Sequence, residues 1–173
     1  MRANPRSEDG FLTIELTVAI VLITIALLAL MAAYDQAFFS LHSSAKTSSA
    51  GLVAETQLEL YASLPYSSIG LDSATRTTTK SSDANYSTDE AALPGSGTDV
   101  TISSCGSSAR CAPVQTLTGS DGRSYKLETF IRAIAPAGST WTEKVITVIV
   151  RDMSKSGSPQ VFEEQTAFDH GPG

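Results

Sequence analysis

Gly10-Phe11-Leu12-Thr13-Ile14-Glu15-Leu16-Thr17-Val18 opens the stretch on which the rest of the chain depends, and from Leu16 to Ala33 it runs on without a charge, a glycine or a proline. A helix rises about 1.5 Å per residue, so Phe11 to Ala33 predicts a rod of roughly 35 Å, enough to cross the hydrocarbon core of a bilayer. Glu15 stands inside this lipid-like run. An ionisable group there costs several kcal/mol unless a partner meets it, which makes an intramembrane carboxylate a functional residue by default. A cleavable secretory signal has an apolar core of about 7–15 residues followed by a small-residue cut site. This run is longer, and no such site follows promptly. A single-pass anchor accounts for the length but for neither Glu15 nor the Gly10-Phe11 junction.

The segment Gly10-Phe11-Leu12-Thr13-Ile14-Glu15-Leu16 resembles the processing motif of type IV pilins and type II secretion pseudopilins: a glycine, a phenylalanine, and a glutamate four residues after the phenylalanine within a short apolar run. The resemblance implies that residues 1–10 are a leader, that prepilin peptidase cuts between Gly10 and Phe11, and that the new amino group of Phe11 is methylated. It further implies that Glu15 is the assembly residue, pairing with the Phe11 amine of a neighbouring subunit. The implied partners are prepilin peptidase, the inner-membrane assembly platform, membrane lipid before assembly, and other pilin subunits in a helical filament. The pairing is physically sensible, since a buried carboxylate and a buried ammonium are each unfavourable alone and tolerable together. Arg2 and Arg6 lie ahead of the span, and basic residues there favour a cytoplasmic amino terminus. The implied location is therefore a single pass through the cell membrane, followed by an extracytoplasmic pilus or pseudopilus. The family often carries a basic residue beside the cut, where this chain has Glu8 and Asp9; that departure bears on processing efficiency rather than on the identity of the site.

Beyond residues 11–33, the membrane and assembly half, composition turns amphipathic over residues 34–64. Phe38, Leu41, Ala45, Leu52, Leu60 and Leu64 recur at helical spacings with Asp35, His42, Lys46, Glu55 and Glu59 between them. Gly51 and the Ser43-Ser44 and Ser48-Ser49 pairs weaken the helix locally, and Pro65 is a natural stop. Unbroken from Phe11 to Leu64, such a helix would be about 80 Å long, more than a small core needs. Leu64-Pro65-Tyr66 is similar to the helix end of many minor pilins.

Residues 65–173 form the expected extracytoplasmic head. A variable loop occupies 65–98. From Asp72 to Thr98 it is rich in Ser, Thr, Ala and Asp, without a convincing helical or strand period, so a surface loop with one short element at most is expected. Asn85-Tyr86-Ser87 is a glycosylation sequon. In the 105–111 loop, five residues separate Cys105 from Cys111, a spacing that a disulfide can close if the Cα atoms approach within about 7 Å. Cys-x-x-Cys redox chemistry needs closer spacing, and zinc would need two further ligands. A structural disulfide is the expectation, with two free thiols as the alternative.

Gly119-Ser120-Asp121-Gly122 reads as a turn. Tyr125, Leu127, Thr129, Ile131 and Ala133 then alternate with Lys126, Glu128, Phe130 and Arg132. Pro136-Ala137-Gly138 breaks that strand. Trp141 to Asp152 supplies a second, apolar on both faces from Val145 to Val150, with one face meeting the helix and the other a neighbouring subunit or a loop. Gln160 to Phe168 is a third, and Asp169 to Gly173 a tail. Lys144-Val145-Ile146-Thr147-Val148 is similar to the penultimate strand of minor pilins. A long helix followed by antiparallel strands over about residues 123–168 predicts an α+β fold, a helix packed on a small antiparallel sheet, which is also the pilin fold that the resemblance implies.

The sequence shows no nucleophile elbow, phosphate loop or zincin helix, and Glu163 and Glu164 point to opposite faces of a strand. No catalytic residue, cofactor or metal site is read from it, and Asp121 and Asp152 are taken as solvated turn residues rather than calcium ligands. The formal net charge is −6, which does not suit nucleic-acid phosphate, so no nucleic acid is expected as a partner. Three readings follow: a structural, minor subunit of a type IV pilus; a type II secretion pseudopilin sharing the same motifs; and a single-pass membrane-anchored binding module.

Overall fold

A computed structural model describes residues 9–94, 97–103, 105, 108–135 and 141–169, with side chains from Thr13 onward. Residues 1–8 of the expected leader, Gly95-Ser96, the expected Pro136-Ala137-Gly138 break and the tail beyond Asp169 lie outside the described residues. The fold is α+β. Helix α1 spans Asp9–Ala62, and the chain divides into two units, Met1–Ser44 and Ala45–Gly173.

In the second unit, five strands form one antiparallel sheet. Strand β5 (Ser124–Ile134) pairs on one side with β6 (Glu143–Asp152), which pairs with β7 (Gln160–Phe168). The other edge of β5 is shared by β2 (Thr98–Asp99) and β4 (Val114–Thr118). A two-residue parallel pair, β1 (Leu71–Asp72) with β3 (Thr101–Ile102), stands apart. The turn between β4 and β5 is the one expected from Gly119-Ser120-Asp121-Gly122. Gly122 takes φ +75°, and a Cβ on Gly119 would come within 2.5 Å of the Tyr125 ring.

Alternation along β5 and β6 decides what packs where. Tyr125, Leu127, Ile131, Ile146, Val148 and Val150 form one sheet face, and Ala50, Val53, Ala54, Leu58 and Tyr61 of α1 bury against it. Ala50, Ala54, Leu58 and Tyr61 follow one another at four- and three-residue steps with Val53 beside Ala54, so these five lie on one side of the helix. Fully burying each Val or Leu of this layer contributes about 1.5–3 kcal/mol. Helix α1 ends at Ala62, two residues before the expected Leu64, in a final turn closed by Leu64 N–H on the Tyr61 carbonyl.

The opposite face corrects the sequence reading. Residues 72–98, expected as a loop with one short element at most, contain α2 (Ser73–Ser82) and α3 (Ala84–Ala92). Both start on aspartate caps. Asp72 Oδ1 accepts from Thr75 N at 2.8 Å, and Asp83 Oδ1 accepts from Asn85 N at 3.0 Å and Tyr86 N at 3.3 Å. Thr77 and Thr78 return their hydroxyls to the Ser73 and Ala74 carbonyls, so their polar groups are satisfied within the helix. Arg76 and Lys80 of α2 both pair with Glu90 of α3. Helix α3 then lays Tyr86 on Phe130, with ring centroids 4.5 Å apart, beside Ile149. The cover expected for this face from a neighbouring subunit or a loop is a helix of the same chain. The Asn85 sequon falls in the first turn of α3, with Tyr86 fully buried.

Candidate functional site

The apolar part of α1 is the candidate site. Large apolar side chains from Ile14 to Leu41 are each 54–76% exposed, on every side of the helix. A soluble helix buries one stripe, whereas one that is apolar all round needs an apolar surrounding. By length and composition this is the one helix among the described residues able to cross a membrane. Its hydroxyls fit that setting: Thr17 Oγ1 donates to the Ile14 carbonyl and Thr24 Oγ1 to the Ile20 carbonyl, both at 2.8 Å. No side-chain polar group of Thr17 or Thr24 is left to be solvated.

Glu15 lies on this surface, exposed, and no hydrogen bond or ion pair to it is found among the described residues. Gly10 and Phe11, the expected cut and methylation positions, belong to the first turn of α1. The Phe11 side chain lies outside the described residues. Further along, Tyr34 and Phe38 pair one turn apart, with centroids at 5.6 Å, and flank a shallow apolar depression with Ala33, Ala37 and Leu41.

Cys105 and Cys111 are joined, with Cα atoms 6.1 Å apart. The closed loop is tied to its surroundings on two sides. Asp72 donates its N–H to the Cys111 carbonyl at 3.0 Å and accepts from Cys105 N at 3.2 Å, while Gln57 and Gln115 both donate to the Ala109 carbonyl. The bond thus pins a loop against α1 and against the cap of α2. Among the described residues no three His, Cys, Asp or Glu side chains are grouped to hold a metal ion.

Two buried charge clusters were not legible in the sequence. Asp152, read as a solvated turn residue, has a fully buried side chain and pairs with Lys46 Nζ at 2.8 Å. Burial alone would raise its carboxyl, but Lys46 and the Ser154 hydroxyl and N–H hold it down at about 2. Asp121 does lie in the exposed turn, accepting from Tyr125 OH at 2.7 Å. The second cluster sits beneath α3. Glu128, also fully buried, meets Lys126 Nζ at 2.7 Å and Arg151 Nε at 3.2 Å; Lys126 also pairs with Asp83, and Arg151 forks onto Asp89. Burial first, and a hydrogen bond with Asp89 second, push the Glu128 carboxyl up to about 7 against the pull of Lys126. On paper Lys126, Glu128 and Arg151 look like outward-facing strand residues, and a covering helix with no apolar period gives no warning that they are enclosed.

No known protein family, curated protein or solved structure matches the chain.

Proposed function

We propose that this chain is a structural subunit, of the minor class, of a type IV pilus: cut by prepilin peptidase between Gly10 and Phe11, methylated at Phe11, and assembled through α1. The observation that carries the reading is Glu15, an exposed carboxylate in a helix surface otherwise apolar on all sides. Lipid suits the apolar residues and not the carboxylate. A neighbouring subunit suits both, since its α1 covers apolar area while its Phe11 ammonium, within about 4 Å, offsets the cost of enclosing the Glu15 charge. The α+β head with a disulfide fits an extracytoplasmic location, and the amino terminus is on the cytoplasmic side before assembly. Beyond the peptidase and lipid, the partners are the inner-membrane assembly platform and other pilin subunits.

The test is Glu15→Gln expressed in cells that make the other subunits. The variant inserts and is processed normally but is at least about tenfold depleted from sheared filaments, because a neutral amide attracts an ammonium far less than a carboxylate does. Glu15→Asp, one methylene shorter, is intermediate. Equal incorporation of the Gln variant removes the assembly role of Glu15. Recovery of the unaltered chain only from membranes, in cells that secrete through a type II system and shear no filaments, assigns it to a pseudopilus instead.

A further inference from the structure

The cluster beneath α3 has an uneven charge count that the assembly reading does not use. Asp83, Asp89 and Glu128 supply three carboxylates, and Lys126 and Arg151 supply two cations, all with side chains a quarter exposed or less. Glu128 and Asp89 share one donor, Arg151 Nε, at 3.2 and 3.0 Å. Two carboxylates drawn onto one guanidinium in a buried site favour keeping a proton between them. We propose that α3 forms a proton-latched cap: it closes over the Phe130 and Ile149 face of the sheet with one proton held between Glu128 and Asp89, and it loosens as rising pH removes it.

The surrounding groups are consistent with this count. From β5 the cluster is faced by Lys126 and Glu128, from β6 by Arg151, from the start of α3 by Asp83, and from α3 itself by Asp89. The Tyr86 hydroxyl of α3 is engaged with the Thr129 carbonyl. Glu90, Arg76, Lys80, Asp99 and Arg132 pair among themselves across α2, α3, β2 and β5. On β7, Glu163 is exposed and accepts from Gln160. The site is neutral with the proton and carries one net negative charge without it. The apolar contact beneath the cap is modest, chiefly Tyr86 on Phe130 with Ile149, so these ion pairs are a large share of what holds it. Opening returns Glu128 to water and to an ordinary glutamate affinity for protons. The sign follows: the closed state binds the proton more tightly, so closure is favoured below about pH 4.5 and weakens as pH rises towards 7.

The experiment is hydrogen exchange on the full chain in detergent micelles at pH 5.5 and 8, corrected for intrinsic exchange and read on α3 against β6. Protection of α3 amides falls at least about tenfold from pH 5.5 to 8 while β6 amides change little. Glu128→Gln, which mimics the protonated form, keeps α3 at pH 8 as protected as the unaltered chain at pH 5.5. A pH-independent α3, a loss shared equally by β6, or an unchanged pH response in Glu128→Gln overturns the proposal. Should the variant not fold, carbon-13 titration of the Glu128 carboxyl in the unaltered chain decides: a midpoint above about 6 supports the latch, and an ordinary value near 4.3 overturns it.

Discussion

Lys46 and Asp152 join the helix to the far end of the sheet: Lys46 Nζ lies 2.8 Å from Asp152 Oδ2, with the aspartate side chain fully buried and the lysine 17% exposed. Tyr125 of the adjacent strand reaches the same turn of α1 with its hydroxyl on the Lys46 carbonyl at 3.4 Å, and Ser49 and Ser120 share a hydrogen bond at 2.8 Å. Polar contacts thus fix where along the sheet the apolar stripe of α1 comes to rest.

This pair makes the head acid-sensitive. The Asp152 carboxyl lies lower when folded, at about 2, than its ordinary 3.8, so its stabilisation is complete above about pH 4 and is lost as pH falls towards 2. Asp152→Asn costs on the order of 2 kcal/mol at pH 7, below the figure for a fully enclosed pair because Lys46 retains access to water. Urea unfolding of Asp152→Asn, Lys46→Met and the double variant measures the coupling. Additive losses would mean that the two charges do not stabilise each other.

Gly51 faces Phe162 of β7, and a Cβ built on it would lie 3.5 Å from the ring, an ordinary contact. Gly51→Ala therefore removes backbone freedom from the unfolded chain and raises stability by up to about 1 kcal/mol. Gly51→Leu, which must displace the ring, lowers it. A lower thermal midpoint for the alanine variant would show that helix and ring are closer than this.

Replacing both cysteines with serine releases a loop that Asp72 connects to the cap of α2. The loss is about 2 kcal/mol on the chain-entropy account of so short a loop. Exchange should rise first in the opening turn of α2, while membrane insertion is unaffected. Peptide mapping without reductant that found both thiols free in exported protein would remove the basis for the prediction.

If the assembly reading holds, the mature chain begins at Phe11. Sequencing of peptides from membranes of cells with a prepilin peptidase should give a methylated amino-terminal Phe11, and Gly10→Val should leave precursor, since a branched side chain crowds a site sized for glycine. Retention of Met1 in such cells would count against the processing site and the family resemblance together.

The sequence by itself determined the elements whose side chains repeat with a period. Leu16 to Ala33 is apolar at every position but Thr17 and Thr24, and β5 alternates from Tyr125 to Ala133, so the long helix, the strands and the α+β class could be read from the sequence. Period 2 records which strand residues share a face, but it does not record what covers that face. Helix α2, Ser-Ala-Thr-Arg-Thr-Thr-Thr-Lys-Ser-Ser, has no apolar stripe to find, and its visible signal was the capping aspartate before it. Only the tertiary structure decided that α3 lies on the sheet, and with it that Lys126, Glu128 and Arg151 are enclosed rather than solvated. Asp152 was hidden in the same way. A charged residue reads identically in sequence whether water or an ion-pair partner satisfies it, and Lys46 with Asp152 and Asp89 with Arg151 lie far apart along the chain, brought together by folding alone.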